Sequence, residues 1–437
     1  MSKKKSITIL SIVSVLVAFV LVMTFIRFPI GVKDYNSVLG AINLDYDMEG
    51  GTAYTLTLSD DNEEEIENIE EVIDTLEYRL SALGYDMYSI KAVKSTDASV
   101  KDYDIRIETK TTDSLASDIN VVAAYGEVEF FGGTSANPTE EILDDVDVIS
   151  DSKYIGAVSD GQNTYYQVSI SFTDTGYNEL IKLIDGAGDS SSYYLEIKLG
   201  DTVLLSGQNA ISKSDFTKQT LNVYIQSESG AKQMALQIGT GGLAYQYEVS
   251  DPMEISSPYG ANVATKSAIV IGALVLVIMV ALVVLYKGLG LIGALSLLLF
   301  ILIETLMLIA VPGIVLSMGG VVGIALSTVL TALGIAYTCN VVKTEYANSE
   351  KTVLAAVKKG FKETLIPTIN AGVVSAIVAI LLFAFTSGVL KGFAITFGIG
   401  VGVGLMATLL FTRMYTSLLL PLVENKEKFL NLKRAEV

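Results

Sequence analysis

The chain has 437 residues, 48 of them Asp or Glu and 30 Lys or Arg, for a formal net charge of −18, with no histidine and one cysteine. Without histidine there is no imidazole for acid–base catalysis, no His-ligated zinc and no histidine pH switch, and a lone Cys339 permits no internal disulfide. No G-x-x-x-x-G-K-[ST] run occurs, which removes nucleotide hydrolysis by a phosphate loop of that kind.

In chain order, Lys3, Lys4 and Lys5 precede an apolar segment, Ile7 to Phe28, long enough to cross about 30 Å of hydrocarbon. It exceeds the h-region of a signal peptide and no small-x-small cleavage site follows it, so it reads as an uncleaved anchor. Residues 29–265 then hold 41 acids and 13 bases, net −28, while the rest of the chain holds 7 and 17, net +10, which together give −18. So acidic a stretch gives no support to nucleic-acid binding, which needs basic surface.

Within this stretch, Thr52 to Leu58, Tyr103 to Thr109 and Tyr166 to Phe172 alternate apolar and polar residues as half-buried strands do. A helix is expected between the first two. Asn62 offers a cap, Glu63 to Glu65 suit its positive end, and Ile66, Ile69, Ile73, Leu76, Leu80 and Leu83 recur at helical spacing up to Gly84. Further helices are expected over Thr175 to Ile184 and Gly230 to Ile238. The order points to an α+β domain with a ferredoxin-like base and a smaller lobe inserted near Gly132 to Tyr165 or Asp185 to Thr220.

Five more apolar segments follow: Ser267 to Tyr286, Leu289 to Val311, Val315 to Val342, Leu365 to Phe385 and Phe393 to Leu420. The reading is a polytopic α-helical membrane protein with six transmembrane helices in a 1+5 arrangement. Its parts are a cytoplasmic tail and first helix (1–28), an extracytoplasmic domain (29–265), helices two to six (266–421) and a cytoplasmic tail (422–437). Basic residues near helix ends set the orientation. Lys3 to Lys5, Lys287, the Lys343 to Lys362 segment and the Lys426 to Arg434 tail all fall inside, and Lys391 is the lone base of a short external turn, Thr386 to Gly392. Ser349 to Thr364 is amphipathic and basic, which suits contact with anionic membrane lipid.

Several short motifs occur in a fixed order. Asp47-Met48-Glu49-Gly50-Gly51 precedes the first strand, followed by Arg79-Leu80 with Leu83-Gly84, Val128-Glu129-Phe130, and Val168 to Phe172 with Gly176. In the membrane part come Val311-Pro312-Gly313, Leu316 to Gly320, and Leu390-Lys391-Gly392-Phe393-Ala394-Ile395-Thr396 with Gly398, Gly400 and Thr412-Arg413. Together they resemble the SecD family of Sec preprotein translocase subunits, within the resistance-nodulation-division superfamily. The resemblance implies an accessory subunit that works with a SecF-like subunit, the SecYEG channel and SecA. Such a subunit helps unfolded preprotein through late export, drawing on a proton or sodium gradient. It implies no enzymatic site, cofactor or metal.

Family members carry an acid in the fourth span and another at the start of the fifth. Counting from Gly319-Gly320 and Gly360-Phe361 puts the first at Leu333 or Gly334, and anchoring on Asn340 puts it at Thr338; the second has become Asn370. An amide does not exchange a proton in the physiological range. The one acid left inside a span is Glu304, in the third, so Glu304, Asn370, Thr338 and Arg413 form the candidate ion relay. Glu304 reads either as a relocated ion site or as a neutral buried carboxyl, and Arg413 as a relay or a snorkelling anchor. Asp47, Gly50, Gly51, Lys391, Gly392 and Phe393 are expected to act structurally. Asp47 reads as a turn or cap residue, and Gly398, Gly400, Gly402 and Gly404 as helix packing. An exporter of lipid or small molecules, or a passive extracytoplasmic holdase, remains an alternative.

Overall fold

The computed structural model describes residues 3–26, 28–30, 33–59, 68–85, 87–94, 103–143, 148–159, 161, 163–187, 192–200, 202–208, 210–243, 245–348 and 352–434. The chain forms two compact units, Thr52–Glu254 and Met1–Gly51 with Ile255–Val437.

The first of these is built around an antiparallel sheet in the order Tyr247–Val249, Gly51–Leu58, Tyr103–Thr109, Tyr88–Lys94. With helices Ile69–Ala82 and Leu115–Val122 between the strands, this is the βαββαβ ferredoxin-like arrangement. Alternation fixes the register: Tyr54 pairs with Ile107 and Leu56 with Ile105, placing these side chains on the inner face. Leu76 and Leu80, one helical turn apart, close over them, and Leu56, Leu76, Leu80, Ile105 and Ile107 are all fully buried. The cap expected at Asn62, the acids Glu63 to Glu65 and the apolar Ile66 lie outside the described residues; Asn68 Nδ2 donates to Glu71 Oε1 at 2.9 Å at the start of the described helix.

The inserted lobe differs from expectation. Tyr166–Phe172 does not rejoin the base sheet. It lies within Thr164–Phe172, inside a second sheet ordered Phe216–Thr217, Thr220–Ile225, Thr164–Phe172, Ile149–Ser159. A third sheet runs Thr202–Leu205, Tyr193–Leu199, Val128–Gly133, Glu141–Leu143. The insertion therefore occupies about residues 128–240, wider than either expected window, and Tyr247–Val249 and Met253–Ile255 return to the base, where both pair with Gly51–Leu58. Its sheets share one core in which the rings of Phe130, Phe172 and Phe216 pack in tilted pairs, with centroids 6.2 and 5.9 Å apart. Thr173 and Ser227 accept hydrogen bonds from Gly176 and Gly230 N–H and so cap helices Asp174–Gly186 and Glu228–Thr240.

Among the described residues, the other unit carries six helices long and apolar enough to cross a membrane. The first is Lys3–Phe25, followed by Val263–Tyr286, Gly288–Ala310, Met318–Ala347 and Leu365–Phe385. The sixth starts at Gly388, earlier than expected, so Lys391 and Gly392 stand on its first turns and not in a loop. It runs to Met406 and continues through one wide turn, Ala407–Phe411, into Thr412–Leu419. The amphipathic helix is Val353–Glu363, while 349–351 lie outside the described residues. Its buried face is Val353, Ala356, Val357, Gly360 and Phe361, with Gly360 set close against Val342 of the fourth span.

Candidate functional site

The fourth and sixth spans run parallel along a seam of small residues. A Cβ added at Gly319 would overlap Val389 O, one at Gly323 would overlap Thr396 Oγ1, and one at Gly404 would overlap Thr331 Oγ1. Contacts recurring every four residues keep one ridge of each helix in register, and small side chains let the backbones approach. Thr396 Oγ1 also lies 2.9 Å from Gly320 O, a hydrogen bond that ties the two helices directly.

Glu304 of the third span meets this seam. A Cβ at Gly400 would collide with Glu304 Oε1 and with Ser327 Oγ, so the absent side chain is what leaves room for the carboxyl. Glu304 is fully buried; Ser327 Oγ–H donates to its Oε1 at 2.8 Å, and Oε2 has no hydrogen-bond partner among the described residues. On the far side of Ser327 is a cavity of about 460 Å³ between the fourth, fifth and sixth spans. Its apolar wall is interrupted by Ser327, Thr331, Tyr337, Thr368, Ser375 and Thr408. The wide turn of the sixth span begins beside it, where Thr412 Oγ1 donates to Ala407 O five residues back, at 2.9 Å. The arrangement offers one shielded carboxyl with a spare oxygen, linked by a single hydroxyl to a partly polar cleft.

The four relay candidates are not brought together. Thr338 is buried on the fourth span and its hydroxyl donates to Gly334 O at 2.9 Å; it stands 11 residues beyond Ser327, about 16 Å along the helix. Asn370 is exposed on the fifth span and absent from the cavity wall, although its neighbours Thr368 and Ala371 line it. Leu333, the other register for the lost acid, is 60% exposed. Arg413 donates from Nη2 to Phe361 O at 2.6 Å and stacks on the Phe361 ring, which fastens the amphipathic helix to the sixth span. Lys391 sits over the Phe383 ring, Gly392 is buried, and Phe393 stacks on Phe397 with centroids 5.4 Å apart.

Ser327 and Gly400 meet Glu304 directly and Thr331 packs on Gly404 one turn further along the seam, and sequence reasoning does not single out the two hydroxyls. Hydroxyls are common in apolar helices because they can bond the carbonyl a turn back, as Thr328 does with Ile324 O at 2.7 Å. The available signal was the coincidence of a lone acid on one span with hydroxyls and glycines at four-residue spacing on two others.

Asp47 occupies a second polar cluster, on the short helix Tyr46–Glu49. It is buried, and its Oδ2 accepts the N–H of Met318, the first residue of the fourth-span helix, at 2.8 Å. Burial raises its carboxyl above the ordinary aspartate value, and the Met318 hydrogen bond opposes this. Gly50 follows at φ +101°, with Ile255 O where a Cβ would stand, and Gly51 begins the first base strand.

Residues 241–420 match the family model described as protein export membrane protein SecD/SecF, C-terminal. The chain is similar to the protein translocase subunit SecD of Synechocystis sp., 26% identical over 250 residues that make up 53% of this chain and 49% of that protein. SecD of Escherichia coli (strain K12) is 26% identical over 206 residues, 45% of this chain and 32% of that one. SecD of Dictyoglomus turgidum is 30% identical over 173 residues, 38% and 41% respectively. The matches thus span half or less of the length of these curated relatives. A crystal structure of SecDF in a super-membrane-facing form superposes with a TM-score of 0.72 at 18% identity, covering 95% of this chain and 58% of that one, a likeness of fold.

Proposed function

Since the chain is a SecD-type protein of the SecD/SecF family, we propose that it serves as an accessory subunit of the Sec preprotein translocase, assisting late export and release of unfolded polypeptide. It works beside a SecF-like subunit, the SecYEG channel and SecA, and it performs no covalent chemistry of its own. Residues 29–265 face away from the cytoplasm and both ends of the chain face into it, a reading supported by the basic residues at the helix ends.

The observation that carries ion coupling is the Glu304 carboxyl, fully buried, with one oxygen held by Ser327 and the other without a hydrogen-bond partner among the described residues. Burying an unpaired carboxylate costs several kcal/mol, a cost that uptake of a proton or sodium ion removes. Glu304 is thereby the exchange site, in place of the acid missing from the fourth span, at Leu333, Gly334 or Thr338, and the one replaced by Asn370. Arg413 anchors the amphipathic helix and takes no part in the relay.

Purification of the full chain from its native membrane in mild detergent is expected to bring a SecF-like protein and SecYEG with it; recovery alone would sink the assignment. Glu304→Gln is expected to slow late export. Export kinetics that match wild type across a titration of the proton and sodium gradients would remove Glu304 from the mechanism. That outcome would favour the passive holdase.

A further inference from the structure

We propose that Asp47 is the joint through which both connections of the external unit hold the fourth span, a positioning residue that passes displacement between them. Three separate stretches of chain meet at this residue. Oδ2 of Asp47 accepts the N–H of Met318 at 2.8 Å, and its main-chain oxygen accepts the Ser257 hydroxyl at 2.6 Å. Just before it, Asp45 N–H donates to Leu316 O at 3.0 Å and Leu316 N–H to Asn43 O at 2.8 Å. Just after it, Gly50 lies so near Ile255 O that a Cβ would come within 2.5 Å. Unit Thr52–Glu254 is continuous with the rest of the chain only through the residues on either side of it, 51 and 255. Whatever moves either connection therefore pulls on Met318.

A cap alone does not account for this arrangement. Ser317 already caps the same helix by accepting Gly320 N–H at 3.2 Å, so a local group serves that need. Asp47 comes from 271 positions away to take a different one of the helix's free N–H groups, and its charge is favourable at that positive end. The held helix is the one that carries Ser327, nine residues on and about 14 Å along the axis, so the joint and the Glu304 site share a single rigid element.

The assignment rests on the export reading only for the purpose the coupling serves, and its mechanics are testable without partner or gradient. Hydrogen–deuterium exchange of the full chain in lipid nanodiscs is the measurement. Asp47→Ala is expected to speed exchange about tenfold over residues 43–50, 255–260 and 318–321 together, as loss of a charge-assisted hydrogen bond would. Asp47→Asn, which keeps an acceptor for Met318 N–H, is expected to change it less than about threefold. Transmission is read with Gly323→Ala, whose methyl meets Thr396 Oγ1 and displaces the fourth span. In the otherwise native chain it should alter exchange at 255–260, and in the D47A background it should not; Gly320→Ala, whose methyl has the side chains of Leu316 at 2.9 Å and Thr396 at 3.1 Å as its nearest neighbours, substitutes if the Gly323 variant fails to fold. Exchange at 255–260 that ignores either change, or that follows Gly323→Ala equally in both backgrounds, overturns the joint. An export assay that fails while this coupling is intact would count against the export reading alone.

Discussion

Arg79 donates from Nη2 to Gly241 O at 2.6 Å, across 162 positions of sequence. The same guanidinium reaches Val122 O at 2.7 Å, Ala124 O at 3.1 Å and Thr240 Oγ1 at 3.2 Å, and the residue is 1% exposed. Its acceptors stand at the C-terminal ends of helices Leu115–Val122 and Glu228–Thr240, where a cation is favourable. Those ends are the two crossings between the ferredoxin-like base and the inserted lobe. Burial lowers the guanidinium to about 10, so it stays charged at neutral pH while holding both crossings with no carboxylate among these partners.

Removing this group strands several buried carbonyls, each at a cost of about 1–3 kcal/mol. Arg79→Ala is therefore expected to destabilise the unit Thr52–Glu254 by about 4 kcal/mol, and Arg79→Lys by about 2, because one ammonium cannot serve acceptors spread around a planar fork. Pulse proteolysis of the full chain in urea measures both. A lysine variant indistinguishable from wild type would mean that the charge matters and the fork does not.

Such contacts mark where sequence reading stops. The six spans are legible because hydrocarbon demands about twenty apolar residues in a row whatever lies beside them. Tyr103–Thr109 is legible because one face is buried, so its alternation is strong. Tyr88–Lys94 escapes because it is an edge strand whose outward residues mix Ser89, Lys91 and Val93. Glu304 stands out as a lone acid, but nothing local tells which hydroxyl meets it. For Asp47, a turn or cap residue by its neighbours, the N–H it accepts belongs to a helix that begins 271 positions later. Topology supplies these partners, and topology depends on where strands such as Tyr247–Val249 return.

The glycine seam separates two neighbours of like appearance. A methyl at Gly400 would meet Glu304 Oε1 and Ser327 Oγ, whereas at Gly402 it would meet nothing within 4 Å. Overpacking costs about 1–3 kcal/mol, and relieving a helical glycine gains about 1. Gly400→Ala is expected to lower the thermal midpoint by several degrees, and Gly402→Ala to leave it level or raise it. Cys339, the sole cysteine and 2% exposed on the fourth span, reports unfolding by its reaction with a fluorogenic maleimide. Equal midpoints for the two variants would show that the seam tolerates a side chain at Glu304.

Asp47 gives a pH dependence whose sign can be worked out. Its carboxyl is raised in the folded chain, chiefly by burial, so between its unfolded and folded values the native state binds more protons than the unfolded one. Stability from this group is then fully present below the unfolded value, about 3.9, and is lost as pH rises through the folded one. Asp45, buried beside it on the approach to the same helix, contributes to both wild type and variant, so the difference between them isolates Asp47. Asp47→Asn carries no titrating group, so its thermal midpoint, followed by circular dichroism of the full chain in detergent, should gain on wild type as pH is raised from about 4 towards neutrality. A wild-type midpoint that instead gains on the variant with rising pH would mean that the Met318 hydrogen bond outweighs burial and that the carboxylate is the stable form at the joint.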